Sequence, residues 1–125
     1  MISFEETGAM LDEIADALPA PLYRELNGGV LLLPEAKLHP SSGRRLLYVL
    51  GEYHQEAAMG RYIVLYYGSF QQVCGRLPPA QFRLQLHRVL AHELTHHNES
   101  LAGLNDLERK DQQFLAEYLE TGENE

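Results

Sequence analysis

The sequence predicts an α+β domain, in which helices near both ends of the chain flank a few short strands. Apolar residues recur at three- and four-residue spacing near the N terminus and again in the second half of the chain, as in amphipathic helices. Between these segments, short runs of aliphatic and aromatic residues are separated by glycine, proline and polar residues, as in strands joined by loops.

The first half of the chain is predicted to form one helix and three strands. Ser3 and Glu6 fit a capping box, and apolar residues at helical spacing follow, so we expect a helix over residues 4–18 that ends at Pro19. Strands are expected at 30–33, 46–50 and 61–67, with loops at 34–43 and 51–60. The third strand is rich in β-branched and aromatic residues, which favour strands.

The second half is predicted to form two helices. Pro78 and Pro79 suit a helix start, no breaker follows over residues 80–102, and Gly103 suits a helix end. Asn105 and Glu108 fit another capping box, which would open a last helix with Leu107, Phe114, Leu115 and Tyr118 on one side.

Composition limits the class of protein. The chain has 125 residues, one cysteine and a formal net charge of −8. We expect a single domain over residues 1–125 with a frayed acidic tail from about residue 121, no disulfide, and a cytoplasmic location. The acidic balance argues against nucleic acid as a partner, and no apolar run approaches the ~20 residues that span a membrane. The oligomeric state stays open.

A His-Glu-x-x-His pattern lies within the predicted long helix, from His92 to His96. Residues four apart share one face of a helix, so the two imidazoles can bind a single cation, and zinc suits them. A chain of this composition in random order would contain the pattern about 0.03 times. The pattern therefore predicts a site for one Zn²⁺ ion with His92 and His96 as ligands.

Glu93 is predicted to be the general base. A catalytic zinc commonly has three protein ligands and one water, whose pKa falls from about 15.7 to about 7. Glu93 follows the first ligand directly and is placed to take the proton of that water and return it to a leaving amine. The predicted reaction is hydrolysis.

The third ligand is open among acidic residues beyond Gly103: Asp106, Glu108 and Asp111. Asp111 falls on the apolar stripe of the predicted last helix, where a buried carboxylate needs a cation or a hydrogen-bond donor. Glu99 is too far along the helix axis, about 10 Å from His92, and is either a hydrogen-bonding neighbour of the site or a solvated residue.

Other titratable residues receive more ordinary interpretations. His97 lies on the opposite face from His92 and is expected to be a hydrogen-bonded core residue, and Cys74 a small buried apolar one. His54 could line a cleft, and Tyr66 or Tyr67 could donate to an oxyanion, but none receives a catalytic role.

The chain resembles the minimal zincin-like metallopeptidases of bacteria along nearly its whole length. The resemblance includes residues 25–30, 50–53 and 61–67, and the segment from Ala91 to His97 with its doubled histidine. It implies a zincin-like α+β fold with a short mixed sheet, a zinc held by His92 and His96, and Glu93 as the base. In that family the pattern usually continues His-x-x-Gly-x-x-Asp. Here Gly103 and Asp106 come one helical turn later, so Asp106 matches the third ligand by motif and Asp111 stays beside it.

The resulting hypothesis is a zinc-dependent peptidase that acts on peptides or flexible protein segments. The resemblance to zincins implies that the peptide adds along a strand edge, and residues 61–67 are the predicted edge. A metal-binding domain without peptidase activity, which acts through partner contacts, is the main alternative. An interaction module without metal is the third. Retention of Glu93, which a purely structural metal site does not need, favours the enzyme.

Overall fold

A computed structural model describes residues 1–41 and 46–103, together with the backbone of 112–118. Its helices are α1 (Phe4–Ala17), α2 (Tyr67–Cys74) and α3 (Pro79–Leu101), with a 3-10 helix at Ala20–Tyr23. Its strands are β1 (Gly29–Leu33), β2 (Lys37–Leu38), β3 (Leu46–Glu56), β4 (Gly60–Tyr66) and β5 (Gln112–Tyr118). The predicted α+β class is confirmed.

The described strands form one mixed sheet. β1 and β4 are parallel, with Val30 opposite Ile63, whereas β3 and β4 form an antiparallel hairpin. β2 and β5 both pair antiparallel with β3. β3 is thus central, and β5 follows it on the side away from β4.

Helices cover one face of this sheet. α1 contributes Leu11 and Ile14 to the main core, and α3 contributes a buried stripe that packs on Ile63 and Leu65 of β4. A smaller apolar cluster on the other face contains Val49, Tyr62, Val64 and Tyr66. This alternation along β4 places successive side chains on opposite faces of the sheet.

The predicted termini of the two main helices are confirmed. Ser3 accepts a hydrogen bond from the backbone N–H of Glu6, and the Glu6 carboxylate accepts one from the backbone N–H of Ser3. α3 starts at Pro79, and its end is followed by Gly103 at φ 79°. Glycine takes this left-handed conformation without steric cost, so it suits a helix end.

The structure corrects two predictions about the strands. β3 continues through Glu56, so residues 51–56 are strand and not part of a ten-residue loop. Glu52 and His54 lie on the face opposite α3, whereas Gln55 donates to Ser100 of α3, so polar residues on both faces hid the strand pattern. β4 pairs with β1 on one side and β3 on the other, so it is an interior strand and not the predicted edge.

The predicted C-terminal helix is also wrong over residues 112–118, which form β5. Phe114 and Tyr118 have a spacing that suits a helix, but here they lie opposite Gly51 and Leu46 in an antiparallel ladder. Pairing with a distant strand overrides local spacing. The capping residues Asn105 and Glu108 lie outside the described residues. Helix α2 and strand β2 were not predicted.

No helix in the described part of the chain is both long enough and apolar enough to cross a membrane.

Candidate metal centre

Helix α3 presents the motif beside its buried stripe. The stripe includes Val89, Glu93 and His97, whose side chains are buried. His92 and His96 are only partly buried. At 100° per residue, the two histidines lie on the flank of the helix next to this stripe, where they border both the core and solvent.

The rings of His92 and His96 converge. Their Nε2 atoms are 2.9 Å apart, and the rings are nearly perpendicular, with centroids 4.5 Å apart. A tetrahedral zinc with bonds of about 2.05 Å separates two ligand nitrogens by about 3.3 Å, so a small opening of this pair suits the ion. The pair therefore fits a shared metal ion.

Burial and charge both favour the neutral form of His92. Desolvation lowers its pKa from the ordinary value, and the neighbouring His96 and Arg88 lower it further, whereas Glu99 acts in the opposite direction. A metal binds the neutral imidazole, so the electrostatic surroundings of this ring favour the form that can be a ligand.

Glu93 lies between α3 and β3, and its side chain has 0% exposure. Glu93 packs on Gly51, where an added Cβ would lie in van der Waals contact with it, 3.4 Å from Cγ and 3.5 Å from Oε2. The register between β3 and β5 shifts between Val49 and Gly51, as at a β-bulge. Burial of a carboxylate is unfavourable unless a cation or a donor lies near it, so this position is unusual for a purely structural residue.

His97 connects the motif helix to two other segments. Its Nε2 lies 2.7 Å from the carbonyl oxygen of Arg24, which can only accept, so Nε2 carries the proton. Its Nδ1 therefore accepts a hydrogen bond from the hydroxyl of Tyr53, at 2.8 Å. Burial lowers the pKa of His97, which keeps the ring neutral. The expectation of a hydrogen-bonded core histidine is confirmed.

Tyr53 and Gly51 were missed as parts of this region. Both lie in the segment of β3 that the sequence suggested was a loop. Counting every second residue from Leu50 skips Tyr53, because the bulge shifts the alternation of sheet faces by one residue. The sequence pattern therefore did not reveal Tyr53 as a core residue.

No third ligand is found among the described residues, which contain no group of three or more His, Cys, Asp or Glu able to hold a metal ion. Asp106, Glu108 and Asp111 lie outside the described residues. Phe114, on the predicted helical stripe that included Asp111, instead lies in strand β5.

Glu99 adjoins the pair from the next turn of α3. Its Oε1 is 3.9 Å from Nδ1 of His96, and its side chain is 39% exposed. Nδ1 of His96 is itself buried and has no hydrogen-bond partner among the described residues.

The tyrosines considered for an oxyanion role donate elsewhere. Tyr66 donates to the buried Glu52, and Tyr67 donates to the carbonyl oxygen of Ile2. Glu52 also contacts Lys37 and, at 2.8 Å, Nε2 of His54. This cluster lies on the sheet face opposite α3, so His54 and Tyr66 are not brought to the histidine pair.

An apolar groove of about 400 Å³ lies on the flank of α3 away from the sheet, between that helix and the segment after α1. Neither His92 nor His96 lines it. The lining residues are Leu18, Leu22, Ala91, Leu94, Thr95, Asn98, Glu99 and Ala102.

The chain is similar to a protein of known structure. No family model matches the chain, and no curated protein does. Among solved structures, the chain is similar to a conserved hypothetical protein from Thermus thermophilus, with 33% identity and a TM-score of 0.68 over 82% of this chain and 100% of that one. The chain belongs to the same family as that protein.

Proposed function

We propose that this protein is a zinc-dependent peptidase of the zincin-like class. The observation that carries the proposal is the pair of Nε2 atoms of His92 and His96, 2.9 Å apart on one helix. Glu93 lies between them in sequence and is buried against the sheet. The mixed sheet with a long helix packed on it is consistent with a zincin-like fold.

The metal ligands in this proposal are His92, His96 and one carboxylate from the chain beyond Gly103. We propose Asp111, with Asp106 as the alternative. Asp111 directly precedes Gln112, which lies opposite Tyr53 in the sheet, and the Tyr53 hydroxyl bonds the residue next to His96. Asp111 is thus one residue in sequence from the strand position that pairs with Tyr53, which supports Asp111.

Glu93 is the general base in this proposal. When bound, zinc would lower the pKa of a coordinated water to about 7 and polarise a peptide carbonyl. The Glu93 carboxylate would accept the proton from the attacking water and then donate it to the nitrogen of the leaving amine. Its burial keeps bulk water away from the carboxylate, which strengthens its interactions with nearby charges.

The substrate in this proposal is a peptide or a flexible protein segment. An extended peptide can add to a sheet edge through backbone hydrogen bonds. Because β4 is an interior strand, we propose that the peptide adds to β5 instead. β5 pairs with β3 alone among the described strands, and it contacts α3.

Replacement of Glu93 by Gln tests the proposed base. We expect the variant to bind zinc as the wild type does and to lose hydrolysis of a fluorogenic peptide mixture by at least 10²-fold, in the range of a general base. Glu13→Gln, which alters an exposed partner of Arg83, is the matched control and should keep full activity.

Wild-type hydrolysis in the Glu93→Gln variant would remove the proposed role of Glu93. A wild-type protein that binds zinc but cleaves no peptide in the mixture would instead favour the metal-binding domain without peptidase activity.

A further inference from the structure

The two ring nitrogens of His96 have different surroundings. Nε2 faces His92 at 2.9 Å, and Nδ1 is buried with no hydrogen-bond partner among the described residues. A neutral imidazole that binds a metal through Nε2 carries its proton on Nδ1. Zinc binding would therefore turn Nδ1 into a buried donor that requires an acceptor.

Among the carboxylates that the structure describes, Glu99 is best placed to accept a hydrogen bond from Nδ1 of His96. Its Oε1 lies 3.9 Å from Nδ1, about one ångström beyond a normal hydrogen bond. The two residues are three apart on α3 and so are neighbours on its surface. The Glu99 side chain is 39% exposed, so a change of rotamer can close the gap without disturbing the core.

Glu99 does not suit a ligand role for the same ion. Its backbone lies about 10 Å along the helix axis from His92, which is more than a glutamate side chain spans. Its carboxylate also lies near Nδ1 of His96, whereas the other ring nitrogen, Nε2, faces His92. Its position suits a hydrogen-bond acceptor for Nδ1 of His96, the ring nitrogen that would not bind the metal.

We propose that Glu99 is a positioning residue that accepts a hydrogen bond from Nδ1–H of His96 and so orients this ring toward the metal. The inference rests on the proposed zinc site. The carboxylate fixes the tautomer of His96 and makes its Nε2 a stronger electron donor, which are the usual effects of a carboxylate behind a metal-binding histidine. Glu99 lies in the extra helical turn between His96 and Gly103.

The test compares zinc affinity in the full chain and in Glu99→Ala and Glu99→Gln variants, by competition with a chromogenic chelator. Loss of such an acceptor typically weakens metal binding by about 10- to 100-fold, and we expect this for Glu99→Ala. Glu99→Gln keeps an oxygen acceptor without the charge, so it should recover part of the affinity. Glu13→Gln is the matched control on another helix and should bind zinc as the wild type does.

A second readout identifies the hydrogen bond itself. Proton NMR of the zinc-loaded wild type should show a slowly exchanging Nδ1–H from His96, retained in Glu99→Gln and lost in Glu99→Ala. Wild-type zinc affinity and an unchanged Nδ1–H signal in Glu99→Ala would overturn the inference while leaving the zinc site intact. A wild-type chain that binds no zinc would overturn both the inference and the proposed function.

Discussion

Glycine at position 51 determines how closely α3 approaches the sheet. A Cβ there would lie 2.7 Å from Cγ1 of Val89, a distance at which the atoms overlap, whereas its contact with Glu93 would be an ordinary one. Both Val89 and Glu93 belong to the buried stripe of α3, so neither can move into solvent. The absence of a side chain at Gly51 is what lets the helix with the His-Glu-x-x-His motif rest on β3.

We predict that Gly51→Ala reduces the free energy of unfolding by about 1–3 kcal/mol, the usual cost of overpacking a core. Gly8→Ala is the matched control. Gly8 lies inside α1, where a Cβ would be 4.0 Å from Leu32, so alanine should stabilise the helix by about 0.5–1 kcal/mol. Urea denaturation measures both changes, and equal stability of the two variants would contradict this account of Gly51.

At the scale of elements, α3 is held by polar contacts as well as by its apolar stripe. His97 joins it to Tyr53 of β3 and to Arg24, which follows the 3-10 helix. Asn98 donates to the carbonyl oxygen of Leu22 in that same segment. These bonds fix the turn of α3 that carries His96.

We predict that His97→Phe lowers the free energy of unfolding of the metal-free protein by about 1–3 kcal/mol at neutral pH, because the Tyr53 hydroxyl loses its acceptor and the Arg24 carbonyl loses its donor. His87→Phe, at an exposed position of the same helix, is the control and should change it by less than about 0.5 kcal/mol.

The same variant should alter the pH dependence of stability. Burial lowers the pKa of His97 in the fold, so below about pH 6.5 the unfolded chain binds a proton that the folded chain does not. The histidine therefore contributes stability above this pH and loses it as the pH falls. The pKa of His92 is lowered as well, so this residue acts in the same direction. His97→Phe should therefore make the loss of stability with falling pH less steep without abolishing it. An unchanged slope would contradict a lowered pKa of His97 in the folded protein.

Sequence reasoning succeeded at this scale where local signals decide the structure. The capping box at Ser3, the prolines before α3 and Gly103 after it are local features, and the helix bounds followed from them. It failed where pairing between distant segments decides: β5 is a strand because it pairs with β3, although its apolar residues also fit helical spacing.

At the scale of the whole molecule, the sheet separates two polar regions. The histidine pair lies on the helix side, and the cluster around Glu52 lies on the other face. Sequence spacing alone brings His92 and His96 together, because both belong to one helix. It cannot assign His54 or Tyr66 to a face, since that depends on strand register and on the bulge near Gly51. The motif was therefore predictable, but the surroundings of each side chain were not.

The proposed function depends on two imidazoles, those of His92 and His96, that share one metal ion. The most direct measurement is a crystal structure of the zinc-loaded protein with anomalous diffraction at the zinc edge. We predict one ion within about 2.0–2.1 Å of Nε2 of both His92 and His96, with a carboxylate as third protein ligand and a further position taken by water. A zinc-loaded crystal with no anomalous peak between these two rings, or with the rings turned away from each other, would contradict the account.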